Sequence, residues 1–222
     1  MYNALMTYTT LFFDLDATLY PASSGLWFKI KDRIHEFVME HLGLTEQEAS
    51  SLREDYYLQY GTTLDGLMRH HHVDPEGYLK FVHDIPLEEF ISYSPALKEI
   101  LTSLPQALWV FTNSDREHAK RVLNILDLEH VFQGIVDVHA LDFEAKPHPR
   151  AYRKALALAK IQTPSKCVLF DDLSQNLLPA NELGFYTVIV NENNLDDHPA
   201  DIHIHSLLDL PHKLPMLWKG ED

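Results

Sequence analysis

The sequence predicts an α/β protein, a parallel sheet with helices on both faces and an all-helical segment inserted near its start. Three observations predict it. Four short apolar runs, Leu11 to Phe13, Leu108 to Phe111, Val168 to Phe170 and Thr187 to Val190, do not alternate in polarity, as strands covered on both faces do not. From residue 95 onward such runs alternate with helical patterns, which implies right-handed crossovers between parallel strands. Residues 20–90 carry helical periodicity and no strand signal.

The elements follow in order. After the first strand, Trp27, Ile30, Ile34, Phe37, Val38 and Leu42 recur at three- and four-residue steps, the spacing of an amphipathic helix. The next helix opens on Thr45 and Glu48, a capping-box pair, and stops at Gly61. Two shorter helices follow, TTLDGLMRHH and DPEGYLKFVHD. Trp27, Tyr56, Tyr57, Tyr60, Tyr78 and Phe81 are expected to pack this helical unit, and His70 to His72 to be its polar end, since adjacent helical residues cannot all face one ion. Beyond it, helices are expected at Pro95 to Leu104, Asp115 to Leu126, Pro149 to Lys160 and Gln175 to Leu183, the last stopped by Gly184. A weaker strand is expected at Ile135 to Val138. The division is therefore a discontinuous core, 1–19 with 91–222, and a helical domain at 20–90.

Composition narrows the function. The chain has 222 residues and is 45% hydrophobic, enough for a buried core. A net charge of -15 argues against binding nucleic-acid polymers or anionic membranes, which need a basic face. No run is long enough to span a membrane, and MYNALMTYTT lacks the features of a signal peptide. Cys167 is the only cysteine, so no internal disulfide forms, and a reducing cytoplasm fits.

Polar residues follow three of the strands. Asp14, Asp16 and Thr18 come after the first, Thr112, Asn113 and Ser114 after the second, and Asp171 and Asp172 after the third. In an open parallel sheet these strand ends share one edge, where ligands bind. Lys146, just ahead of a helix, can reach it. Four carboxylates gathered there call for a cation, and oxygen-only donors favour a hard one, most simply Mg²⁺. Mg²⁺ commonly joins carboxylates to a substrate phosphate. Thr112 and the amide of Asn113 suit the remaining phosphate oxygens, with Lys146 as a point cation. Asp14 then serves as the nucleophile, forming an aspartyl-phosphate, and Asp16 as the general acid and base.

At these residues the sequence resembles the haloacid dehalogenase superfamily of phosphohydrolases. Its four motifs read here, in order, DLDAT, VFTNS, AKPHP and LFDDLSQN. The stretches LYPASSGLW, FTNSDREHAKRVLNILDL and CVLFDDLSQNLLPANELG are similar to its pyrimidine 5′-nucleotidase branch. The resemblance implies a Rossmann-like core, a helical cap at residues 20–90, and Mg²⁺-dependent release of phosphate from UMP, CMP or related small phosphomonoesters. It implies Asp14, Asp16, Asp171 and Asp172 around the metal. Asp16 would bind through its backbone carbonyl, Asp172 directly, and Asp171 directly or through water. Two residues depart from the family pattern: Ala17 stands where glycine, asparagine or aspartate is frequent, and Leu173 where serine is. Tyr20, Ser23 and Ser24, entering the cap, are candidate substrate contacts. A sugar-phosphate phosphatase, a phosphomutase, a dehalogenase and a non-catalytic phospho-ligand binder stand as alternatives on the same fold.

Overall fold

A computed structural model describes residues 8–193 and 198–218. The amino-terminal stretch compared with a signal peptide lies largely outside them. Six parallel strands form one sheet: β1 (Thr10–Phe13), β2 (Ala107–Phe111), β3 (Gly134–Val136), β4 (Cys167–Asp171), β5 (Tyr186–Val190) and β6 (Ile202–Ile204), in the order β3-β2-β1-β4-β5-β6. The sheet and its flanking helices are the α/β arrangement that the apolar runs predict.

Alternation along each central strand builds two cores. Leu11 and Phe13 of β1, Val110 of β2 and Phe170 of β4 enter one apolar cluster, while Phe12, Phe111 and Leu169 enter another. Both faces are therefore dry, which is why these strands read as unbroken apolar runs. Helices α5 (Pro95–Ser103) and α6 (Arg116–Ile125) cover the first face, and α7 (Pro149–Leu158) and α8 (Ser174–Glu182) the second. Phe13 and Phe170 stack with centroids 4.4 Å apart, locking β1 to β4 beneath the polar edge.

Between β1 and α5 run α1 (Leu26–Leu42), α2 (Glu46–Tyr60), α3 (Thr63–His71) and α4 (Pro75–Val82), with no strand among them. Thr45 and Glu48 form the expected capping box, and Gly61 ends α2 in the left-handed conformation at φ 83°. Val38, Ala49, Tyr56, Leu67, Tyr78 and Val82 make a third cluster. The separation is not clean: Leu26 and Ile30 of α1 belong to the sheet's first core.

Two differences from the sequence reading have local causes. The strand expected at Ile135 to Val138 is Gly134–Val136, because Val138 leaves the sheet to pack with the helical cluster. Strand β6 carries no apolar run that would announce it: it is three residues long with His203 at its centre.

Candidate active site

Strand register assembles the site. Phe13 pairs with Val110 on one side and Phe170 on the other, so Asp14 leaves β1 level with Phe111 and Asp171. The backbone N–H of Asp14 donates to the Phe170 carbonyl at 2.8 Å, and that of Thr112 to Val136 at 2.9 Å, so pairing holds past the strand ends. One carboxylate oxygen each from Asp14, Asp171 and Asp172 lie within 4.8 Å of one another.

Lys146 is inserted into this group. Its Nζ donates to Asp14 Oδ1 at 2.8 Å and to Asp171 Oδ2 at 2.6 Å, and the side chain is 1% exposed. Burial pushes its pKa down, but Asp14 and Asp171 outweigh it and hold the pKa above the ordinary lysine value. Asn113 fixes the lysine from behind: its side-chain amide donates to the Lys146 carbonyl at 2.9 Å and accepts from the Lys146 N–H at 2.8 Å. The side chain of Asn113 is thus committed to the protein, leaving its backbone amide for a ligand.

One ammonium does not balance three carboxylates. Burial raises Asp14 to about 7, with Lys146 opposing and Asp171 and Asp16 adding to the rise. Burial and the neighbouring Asp171 and Asp14 raise Asp172 to about 9. Asp171 is saturated, since Oδ1 also accepts from Leu173 N at 3.0 Å and Asn176 Nδ2 at 2.9 Å. The bond from Leu173 comes from its backbone and so does not need the serine that is frequent there. Asp14 and Asp172 line a cavity of about 400 Å³; Asp171 lies behind it. A donor set made only of carboxylate oxygens, short of positive charge, fits a hard divalent cation such as Mg²⁺.

Asp16 faces another way. Oδ1 accepts from Tyr20 Oη at 2.7 Å and lies 2.9 Å from His118 Nε2; Oδ2 accepts from Ser114 Oγ at 2.6 Å. Burial pushes its pKa up, but His118 and these hydrogen bonds outweigh it and hold the carboxyl well below the usual range. Asp16 can sit there because the chain turns sharply after β1, with Leu19 N donating to Leu15 O at 3.0 Å and Ala17 at φ 61°. That left-handed angle explains why glycine, asparagine and aspartate are frequent at this place, and alanine occupies it under mild strain.

The remaining predicted residues divide. Thr112 lines the cavity with its Oγ1 accepting from Ser114 N at 3.0 Å, which leaves its own proton to give. Tyr20 is buried against Asp16. Ser23 turns to Glu192, which accepts from its N–H at 2.7 Å and its hydroxyl at 2.6 Å, and Ser24 Oγ accepts from Leu26 N at 3.3 Å. These three line a second cavity, of about 570 Å³, rather than the one that holds Asp14 and Asp16. The turn after β1 carries the chain toward the β5 side of the sheet before α1 begins.

Sequence reasoning placed Ser114 at the strand-end edge without giving it a role, and missed His118 and His83 as members of the site. The His83 and His118 rings stack at 4.1 Å, and His83 Nδ1 lies 2.5 Å from Asp115 Oδ2, the cap of α6. A usable signal existed: His118 falls on the buried face of α6, one turn after a strand-end polar cluster. His83 lies too far along the chain for any such pattern.

The family pattern of the haloacid dehalogenase-like hydrolases matches residues 8–184, and the chain belongs to that family. It is 30% identical over 192 residues to phosphate metabolism protein 8 of Saccharomyces cerevisiae, a match covering 80% of this chain and 60% of that protein. Solved structures share the fold. One is a haloacid dehalogenase-family phosphatase from Thermococcus onnurineus, with TM-score 0.61, 20% identity and coverage of 91% of this chain and 96% of that one. Another is L-2-haloacid dehalogenase from Xanthobacter autotrophicus, with TM-score 0.59, 14% identity and coverage of 92% and 97%. The chain is therefore a hydrolase by family. No helix among the described residues is long and apolar enough to cross a membrane.

Proposed function

We propose that the protein is a phosphomonoester hydrolase acting through an aspartyl-phosphate on Asp14, with pyrimidine nucleoside 5′-monophosphates as its preferred substrates. One observation carries the chemistry: a carboxylate at the tip of a buried strand, gripped by a buried lysine and grouped with two more carboxylates. In the first step an Asp14 oxygen forms a bond to phosphorus while the bond to the leaving alcohol breaks, and Asp16 gives that alcohol its proton. In the second, a water oxygen bonds to phosphorus, Asp16 takes the water's proton, and the Asp14–phosphorus bond breaks to release inorganic phosphate. The low resting pKa of Asp16 suits the second step; an arriving phosphate, itself negative, raises its hold on a proton for the first. Thr112, the Asn113 amide and Lys146 hold the phosphate oxygens.

Asp14 and Asp172, with the Asp16 backbone carbonyl, would hold Mg²⁺ directly and Asp171, whose oxygens are already taken up, through water; the ion when bound supplies the countercharge that lets a carboxylate meet an anionic phosphate. Residues 20–90 act as a cap over the core comprising 1–19 and 91–222, excluding water and selecting the leaving group. The nucleotide choice follows the motif resemblance, and the name of the yeast relative is in keeping with phosphate chemistry. A cytoplasmic setting goes with Cys167, which is buried and free.

The test is phosphate release with Mg²⁺ from UMP, CMP and sugar phosphates by wild type and Asp14→Asn. UMP or CMP should be turned over fastest, and the variant should lose at least about a thousandfold. Near-normal activity in Asp14→Asn sinks the nucleophile assignment; sugar phosphates without nucleotides sink only the substrate choice. Chloride release from a 2-haloacid would favour the dehalogenase alternative.

A further inference from the structure

Arg53 is the anomalous residue of the cavity. It lies on α2 and lines the same space as Asp14 and Thr112. Its Nε is buried and has no hydrogen-bond partner among the described residues. Nearby arginines are paired, Arg33 with Glu36 and Arg69 with Asp65, yet Arg53 makes no ion pair among the described residues of a chain with 33 acidic side chains. The side chain is half-buried, with Tyr78 and Asp32 acting on it only through space, and a buried N–H donor with nothing to receive its hydrogen bond is costly to keep. It is understandable where a ligand completes it.

The walls say what kind of ligand. Trp27, Ile34, Tyr57, Leu64, Tyr78 and Leu79 line the same cavity as Arg53, Tyr78 near enough to act on its charge, and suit a flat, largely apolar ring. Asp14, Asp16 and Asp172, also in its lining, disfavour a second anionic group on the same ligand. A carbonyl oxygen satisfies a guanidinium without adding charge.

We propose that Arg53 is a specificity-determining residue whose Nε–H donates to a carbonyl oxygen on a flat, ring-shaped leaving group. This rests on the phosphomonoester reading above and adds to it the chemical feature by which the leaving group is chosen.

The experiment compares wild type with Arg53→Met, which keeps a stem of similar length, and with Arg53→Lys, which keeps the charge without the fork. UMP carries ring carbonyls; phenyl phosphate carries a flat ring and none. The ratio of kcat/KM for UMP over phenyl phosphate should fall about 10- to 100-fold in Arg53→Met, mainly through the KM for UMP, with partial recovery in Arg53→Lys. A merely structural arginine would lower both substrates together and leave the ratio unmoved, which overturns the proposal while sparing the phosphatase chemistry. Calorimetric titration with uridine supplies an arm independent of turnover. Affinity should fall by a similar factor in Arg53→Met; equal affinity in the two proteins, or no binding to wild type, overturns the proposal.

Discussion

Replacing Lys146 with methionine keeps the length of the side chain and removes the ammonium that bridges Asp14 and Asp171. Both contacts are short, at 2.8 and 2.6 Å, and Asp171 is fully buried, so its carboxylate cannot turn to water in the lysine's place. Removing one partner of a buried ion pair costs about 3–5 kcal/mol. For a chain of this size each kcal/mol lowers Tm by about 2–4 °C, so the expected loss is about 6–20 °C. The loss must depend on pH. Asp14 binds its proton more tightly folded than unfolded, being raised from 3.8 to about 7, so its contribution to stability declines as pH rises through that interval. Without Lys146, which opposes the rise, the decline is steeper and runs higher in pH. Thermal melts of wild type and Lys146→Met at pH 5 and pH 8 should therefore show a small gap at the lower pH and the full gap at the higher one. Equal gaps, or a loss below about 1 kcal/mol at pH 8, would refute the claim that this lysine neutralises buried charge.

Two further outcomes follow from the same electrostatics. Mg²⁺ should raise Tm more at pH 8 than at pH 5, because protons on Asp14 and Asp172 compete with it, both being raised, to about 7 and about 9; chelation should reverse the gain, and an increment independent of pH would contradict the carboxylate site. His118→Asn, which removes the ring 2.9 Å from Asp16, should lower kcat for phosphate release about 10- to 100-fold with little change in KM; unchanged kcat in steady-state kinetics would show that Asp16 does not need it.

Legibility in the sequence followed physical range. Buried parallel strands declare themselves because both faces are apolar, and Asp14, Thr112, Asp171 and Asp172 declare themselves because they interrupt those runs at one end. Lys146 was legible through its motif. The partners of Asp16 were not, since His118 is brought to it by the placement of a helix and Tyr20 by a sharp turn. Ser23 shows the other limit: its closeness in sequence to Asp14 gave no sign that the turn would pair its hydroxyl with Glu192, 169 positions away. Arg53 carries no local pattern, and what marks it is a missing partner, a property that exists only once the chain is folded.

The paired hydrogen bonds between the Asn113 side chain and the backbone of Lys146 carry a warning for genetics. A random-mutagenesis screen would score position 113 as indispensable, and chemists would assign its amide group to the reaction. Its side chain instead anchors a neighbour 33 positions away, so second-site suppressors of its loss should arise in the loop that carries Lys146 and not among the acids.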